Sequence, residues 1–438
     1  MLRRLAPGLA FVVLLAAPLR AQSLRDQVRE LFEFGPASCD TVLCLNPTVA
    51  PGSHGQHFIT ALIEGQNSIL AFLTEAIGVS VATIPISGTS SGVTFTFEGG
   101  VPVKTSVSSG PIFGERAQTL GRGRVLLGGN LTAVNFQSLR GVSLPSVAFA
   151  FTHDSLAGTP PNSPKLGSPL FENEVFEVRP NFDFKLLVGA LYVTYGLLDR
   201  VDVGLAVPLV HASLSGTSFA AVRPYGPGSP HYFGDDPADS LPTKQFQDTS
   251  VVEGSATGIG DVAARVKVNL KQTERSGISV LLDARFPTGK EEDFLGSGAF
   301  SMRGLGILSA RWGDFSPHLN LGYFFTNAEL QNDAVLATVG FDQLVAPWAT
   351  LAADLITQFQ VGESKLALPG AVTIDTPSVR RIETANIPEQ RDHLINGSVG
   401  VKLTSGRGVT FVANTLFPFR KSGLQADVVF TAGLEYNF

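Results

Sequence analysis

The sequence predicts an antiparallel transmembrane β-barrel of about twelve strands, with a short helical segment ahead of it. Three observations predict it. Apolar and polar residues alternate through segments of roughly 10–15 residues that are separated by turn residues. The 438-residue chain is apolar, with mean hydropathy +0.20 and 16% charged residues. Past residue 21, however, it has no apolar run of the about 18 residues a membrane helix needs. The connections between alternating segments are short on one side and long on the other, which is the barrel rule.

Residues 1–21 read as a secretory signal peptide. Arg3 and Arg4 supply the basic start, residues 10–17 the apolar run, and Leu19-Arg20-Ala21 the cleavage site. Only two cysteines are present, Cys39 and Cys44. In an exported chain this pair is a disulfide candidate that staples a loop. Residues 22–91 form the helical plug or cap segment. Leu24, Val28, Leu31 and Phe32 fall at helical spacing, as do Phe58, Leu62, Ile69, Leu73 and Ile77 over 57–78. The second helix carries Glu64, Gln66, Asn67 and Glu75, too polar to span a bilayer. Plugging the lumen, capping a mouth and lying on the bilayer are all open to it, the first two being favoured. Residues 92–438 are assigned to the barrel. A hairpin over 92–107 raises the strand count to fourteen if it joins the wall.

The first clear strand covers about 123–137. Phe182, Phe184, Leu186, Val188, Ala190 and Tyr192 then alternate with Asp183, Lys185 and Gly189, and Val201, Val203, Leu205, Val207 and Leu209 with Asp202 and Gly204. Val262, Ala264, Val266 and Val268 alternate with Asp261, Arg265, Lys267 and Asn269, and Ile278, Val280, Leu282, Ala284 and Phe286 with Ser279, Asp283 and Arg285. Further strands read over 299–312, 316–327, 333–342, 348–361, 394–403, 408–418 and 424–438. Connections at 197–200, 271–277, 313–316, 342–347 and 404–408 belong on the periplasmic side. The longer ones at 138–175, 217–256, 287–298 and 362–393 belong outside. Outward-parity aromatics form two girdles: Phe286, Phe300, Tyr323, Phe325, Phe359 and Phe417 at the outer ends, and Tyr192, Trp312, Phe341, Tyr436 and Phe438 at the inner. Trp348 has inward parity and does not fit.

A lysine or arginine facing lipid costs about 2–4 kcal/mol at mid-bilayer, so parity places charges inward. The lumen-lining candidates are Asp183, Lys185, Asp202, Arg265, Lys267, Asp283, Arg285, Arg303, Arg311, Asp354, Lys402, Asp427 and Glu435. Mixed signs favour a lumen held by ion pairs over a dedicated selectivity filter. A net charge of −6 without a basic patch gives no case for nucleic acid. Gly88-Thr-Ser-Ser-Gly92 matches G-x-S-x-G but leads into a strand pattern instead of a helix. His54 and His57 lack a third ligand nearby, so no metal is expected, and no cofactor motif is present. His211 and Ser213 share a strand face, the pair an outer-membrane lipid hydrolase would use. That enzyme, and a structural or adhesion barrel working through the 217–256 loop, are the alternatives to a channel.

The terminal strand carries Val428, Phe430, Ala432, Leu434, Tyr436 and Phe438 on one face. It resembles the closing strand of bacterial outer-membrane barrels. That resemblance makes Leu434, Tyr436 and Phe438 an assembly signal read by the barrel-assembly machinery. It also implies the outer membrane of a Gram-negative-type bacterium, with its lipids as surroundings. Residues 110–124 (GPIFGERAQTLGRGR), Tyr195 to Leu205, Gly258-Ile-Gly-Asp261, Phe286-Pro-Thr-Gly289 and Gly433 to Phe438 resemble segments of the phenol-degradation meta-pathway family, and more distantly FadL-type transporters. The resemblance implies a channel or transporter, not an enzyme, for a small hydrophobic or aromatic solute.

Overall fold

The computed structural model describes residues 22–35, 58, 67–83, 95–98, 101–104, 108–152, 174–224, 233, 246–374, 380–405 and 408–438. The expected signal peptide, the Cys39 and Cys44 pair, His54 and His57, and Gly88 to Gly92 lie outside the described residues.

In lipid every backbone N–H and C=O must be paired within the protein, and a strand can meet that demand only in a closed sheet. One sheet of fourteen strands is present, and twelve of them close the ring. In chain order these are β1 (Val125–Asn135), β2 (Glu174–Leu198), β3 (Val201–Pro224), β4 (Val262–Gln272), β5 (Ser276–Phe286), β6 (Ser301–Ala310), β7 (Phe315–Thr326), β8 (Ala334–Ala346), β9 (Ala349–Gln360), β10 (Leu394–Thr404), β11 (Val409–Pro418) and β12 (Val429–Asn437). All neighbours are antiparallel, and β12 pairs β1 from Val429↔Val134 to Asn437↔Leu126. Two closing bonds follow, from Val125 N to Phe438 O (2.9 Å) and from Phe438 N to Val125 O (3.0 Å). The 95–98 and 101–104 hairpin forms a sheet of its own, so the wall starts at Val125 and has twelve strands.

Around the twelve-strand ring the face turned away from the lumen is apolar. Leu127, Leu131, Leu191, Leu209, Val280, Leu321, Val339, Leu351, Val399, Phe430 and Leu434 are all exposed on it, and a patch of this extent needs lipid to cover it. Tyr195, Trp312, Trp348, Tyr436 and Phe438 are exposed at the short-turn end, and Phe286, Tyr323, Phe325 and Phe359 at the other. Tyr192 departs from the expectation. It points inward, and its hydroxyl donates to Glu435 Oε1 at 3.1 Å.

Strands β2 and β3 are twice as long as their neighbours and stay paired from Glu174↔Pro224 to Leu198↔Val201. Their far halves rise beyond the ring and recruit strand 149–152 on one side and strand 247–259 on the other. The loop expected over 217–256 is therefore strand at both ends. Strand 247–259 continues into β4 through Gly260 and Asp261, where Gly260 N donates to Pro208 O (2.9 Å) and side chains supply the remaining bonds. Thr288 Oγ1 donates to Gly260 O (2.7 Å) and accepts from Val262 N (3.0 Å), while Asp261 accepts from Gly289 N (3.1 Å) and Ser297 N (2.7 Å). The Gly258–Asp261 and Phe286–Gly289 motifs meet at this seam.

Helix α1 (Leu24–Glu30) and helix α2 (Ile69–Thr83) sit at the long-loop end. Ser23 caps α1 by accepting from Asp26 N, and Ser68 Oγ accepts from Ala71 N at 3.0 Å in the first turn of α2. α2 begins later than the 57–78 expectation and runs to Thr83. One face of each helix joins Phe149, Phe151, Phe176, Phe182 and Phe184 in a continuous core. Each such ring contributes about 1.5–3 kcal/mol by burial. α1 is tied to the outer end of the barrel by Arg25 to Glu291 (2.5 Å) and by Ser250 Oγ of strand 247–259 to Glu30 O (2.6 Å), and α2 by Ser80 Oγ to Leu424 O (2.9 Å).

Arg140 is the hub of this cap. Its φ of 48° lies in the left-handed region, its N–H donates to Gly423 O (2.7 Å), and its guanidinium lies 5.1 Å from the Phe72 ring centre. Nη2 donates to Asp392 Oδ2 at 2.8 Å and to Leu366 O at 2.9 Å. Arg140→Ala strands Asp392 in a buried setting and is expected to destabilise the cap by about 3–5 kcal/mol. The measurement is hydrogen exchange across residues 69–83, which should accelerate while the wall strands stay protected. Burial raises the Glu75 carboxyl above its usual range, against the pull of Arg25 and with Glu291 adding to the rise. A raised carboxyl favours the docked state when protonated. Docking of α2 is thus strongest below the ordinary carboxylate range and weakens as pH rises through the raised value. Exchange in α2, corrected for its intrinsic pH dependence, should follow that direction, and Glu75→Gln should flatten it.

Candidate functional site

Between the helical cap and β1 the chain passes through the barrel. Residues 108–120 run through its inner half as an irregular ribbon, and Glu115, Arg116 and Ala117 are almost wholly buried there. Irregular backbone at membrane depth must find partners in the protein, and the wall supplies them residue by residue. Ser109 N donates to Thr350 Oγ1 (2.9 Å), Glu115 N to Asn320 Oδ1 (2.7 Å), Ala117 N to Ser309 Oγ (3.1 Å) and Leu120 N to Asp202 Oδ2 (3.0 Å). The ribbon carbonyls are met as well: Asn320 Nδ2 donates to Glu115 O (2.9 Å) and Asn269 Nδ2 to Ala117 O (2.7 Å). Asp354 accepts from Phe113 N (3.3 Å) and pairs with His318 Nε2 at 2.7 Å. A Cβ on Gly114 would run into that imidazole, so the close approach requires glycine.

Charge follows the same plan. Arg116 of the ribbon forms a buried pair with Asp342 of β8, its Nε donating to Oδ1 at 3.0 Å. Glu115 of the ribbon accepts from Arg265 (3.2 Å) and Lys267 (3.4 Å). Asp283 joins Arg265 (3.0 Å) and Arg303 (2.9 Å) across three strands, and Lys402 pairs Glu435 at 3.5 Å.

Of the residues singled out by parity, Asp202, Arg265, Lys267, Asp283, Arg285, Arg303, Asp354, Lys402 and Glu435 face the lumen. Arg311 is half-buried at the short-turn end, its N–H donating to Arg275 O (2.8 Å). Asp183 and Lys185 do not line the lumen. They pair with each other on the outer face of β2, which shares its parity with exposed Leu187 and Leu191. Asp427 is also outside, paired with Lys421 at 3.0 Å with both side chains more than half exposed. His211 faces outward too, its Nδ1 2.7 Å from Thr257 Oγ1. Asp342, His318, Glu115, Arg116 and Phe113 went unread. Only the resemblance of residues 110–124 to a known family segment marked three of them.

Two cavities remain above the ribbon, and Phe113 lines both. The outer one, of about 160 Å³, is bounded by α2 and by β1, β9, β10, β11 and β12. It is lined by Val134, Phe136, Leu416 and Ile356 among neutral Gln331, Gln358, Gln360 and Asn396, and its one carboxylate, Asp392, is bonded to Arg140. The second, of about 130 Å³, lies among β5 to β9 and is lined by Asp283, Arg285 and Arg303 as well as Met302, Phe324 and Leu336. Below Phe113 the described spaces shrink to about 20 Å³ and 10 Å³, on the order of one water molecule.

A family described as "Putative MetA-pathway of phenol degradation" matches residues 170–419. Solved structures with a similar fold include the COG4313 outer membrane channel from Pseudomonas putida F1, at 13% identity and TM-score 0.46, over 74% of this chain and 98% of that one. A TodX monoaromatic hydrocarbon channel deletion mutant matches at 12% identity and TM-score 0.32, over 76% and 95%. A Pseudomonas aeruginosa FadL homologue matches at 10% and 0.32, over 72% and 89%. No curated protein matches. With more than half of its residues matched, the chain belongs to the phenol-degradation MetA-pathway family.

Proposed function

We propose that this barrel is an outer-membrane channel for small hydrophobic or aromatic molecules, not an enzyme. The observation that carries the reading is the pair of cavities meeting at Phe113 inside a wall whose outer face is apolar. A closed cavity of roughly 150 Å³ takes up a benzene-sized molecule. The outer cavity, about 160 Å³ with a mostly apolar lining, matches that scale, and the family description points to the same class of solute. Entry is from the capped end, past α2. Exit requires residues 108–120 to yield, because the described spaces below them are water-sized. Residues 1–21 act as the export signal in this reading, and Leu434, Tyr436 and Phe438, all exposed on the last strand, are what the assembly machinery engages. The hydrolase alternative is disfavoured because the described bond of the His211 ring goes to Thr257 Oγ1 and not to Ser213.

Flux of benzyl alcohol into liposomes carrying the purified protein tests the reading. Phe113→Ala removes the ring between the cavities and should raise that flux several-fold. Protein that passes no aromatic solute, in wild-type or variant form, sinks the proposal. Arg116→Ala leaves Asp342 buried without its countercharge, a loss of about 3–5 kcal/mol, or roughly two to four orders of magnitude in the docking equilibrium of the ribbon. Planar-bilayer recordings should then show larger and longer openings than wild type. Unchanged conductance would mean that the ribbon does not control the passage.

A further inference from the structure

The outer cavity is neutral, yet part of its lining is polar. Its one charged residue, Asp392, is engaged by Arg140 and by Gly423 N at 2.8 Å. Several uncharged groups are engaged as well. The Thr132 and Thr431 hydroxyls bond each other (2.9 Å), Gln360 Oε1 accepts from Asp392 N (2.9 Å), and Gln425 Oε1 accepts from Ser422 N (3.2 Å). Four other side chains of the lining stand apart from this pairing. Gln331 Nε2 and Ser422 Oγ meet no hydrogen-bond partner among the described residues, with Gln331 4% exposed and Ser422 0%. Gln358 of β9 and Asn396 of β10 are diagonal neighbours on the inward face, Gln358 opposite Leu394 and Asn396 opposite Ile356. Neither of these two amides bonds a described residue. Phe113, Val134, Phe136 and Leu416 supply an apolar surface beside them. A buried amide N–H without an acceptor is costly until something supplies one.

We propose that the outer cavity, of about 160 Å³, binds a neutral aromatic carbonyl compound. The ring lies against Phe113 and Phe136, and the oxygen accepts from the free amides of Gln331 and Asn396. A carbonyl oxygen offers two lone pairs and brings no proton that itself needs a partner. A hydrocarbon of the same shape leaves the amides unpaired, and a site that hydrogen-bonds its ligand discriminates against the analogue lacking that group. A carboxylate finds no cation in the described lining and meets Asp392 instead. The assignment rests on the channel reading, in which this cavity is the first to receive the solute, and narrows that solute to molecules with a hydrogen-bonding oxygen.

Titration calorimetry of the full chain in detergent compares acetophenone with ethylbenzene, which has nearly the same shape and no oxygen. The readout is the ratio of the two affinities, because uptake into micelles is common to all variants. Gln331→Met and Asn396→Leu keep a side chain of similar size, and neither residue lines the second cavity. Each should lower the acetophenone-to-ethylbenzene ratio about tenfold by weakening acetophenone. Ethylbenzene should bind as in wild type or more tightly, and that retained binding reports an intact cavity. A ratio unchanged in either variant, or wild type that takes up ethylbenzene and not acetophenone, overturns the proposal. Acetophenone flux into liposomes, measured on the same preparations, separates it from the channel reading. A ratio that falls in the variants with no flux in any form refutes the channel and leaves the site standing, whereas flux with an unchanged ratio does the reverse.

Discussion

The structure depends on one requirement: polar groups that the barrel wall turns inward must be paired inside the bilayer. Twelve strands with an apolar outer face leave their polar side chains nowhere else to go, and twelve strands enclose more space than those side chains fill. The chain satisfies both conditions with residues 108–120. Their backbone bonds to Asp202, Asn269, Ser309, Asn320 and Asp354, and Glu115 and Arg116 balance Arg265, Lys267 and Asp342. Removing one partner in such a network leaves a buried charge uncompensated, which costs more than the intact pair contributes. The segment is therefore held firmly as long as the network is whole, and a local change in charge or contact is enough to release it.

The outer end follows a different rule. Beyond the ring the long β2–β3 hairpin stands in water, so its polar face turns out and its aromatic face turns in to cover α1 and α2. Phe149, Phe151, Phe176 and Phe184 make this a small globular core continuous with the lumen. Arg140 and Asp392 bind three outer connections and α2 into one body. What sits above the cavities is thus a packed cap with its own stability, hinged on a buried ion pair.

This change of rule explains where sequence patterning succeeded and where it failed. Period-two alternation located the strands of the wall, and the cost of placing a charge in lipid put Arg265, Asp283, Asp354 and Lys402 on the correct face. The same argument placed Asp183 and Lys185 inside, because it took lipid to surround the whole of β2. At their height water surrounds it, and the apolar residues Phe182 and Phe184 are the ones that turn inward. Tyr192 was misread for the same reason, and Asp427 lies at the rim where parity no longer carries information. The ribbon was not legible at all from periodicity. Its residues have no regular structure, and their partners Asp342 and Asn320 come from strands two hundred positions away. Only the likeness of residues 110–124 to a family segment pointed there, without saying why that segment matters.

The central claim is that residues 108–120 lie inside the barrel, and a disulfide tests it most directly. A Cβ built on Gly277 of β5 would meet Ala117 Cβ at 2.9 Å, so the two backbones face each other directly and must part by about 1 Å to reach the roughly 3.5–4.5 Å of a disulfide. Ala117→Cys with Gly277→Cys, placed in a chain whose Cys39 and Cys44 are replaced by serine, should cross-link under mild oxidation into a form of altered gel mobility that reverts on reduction. Failure of the bond to form, together with ready labelling of a single Ala117→Cys by a bulky water-soluble maleimide, would place the segment outside the lumen and contradict the account.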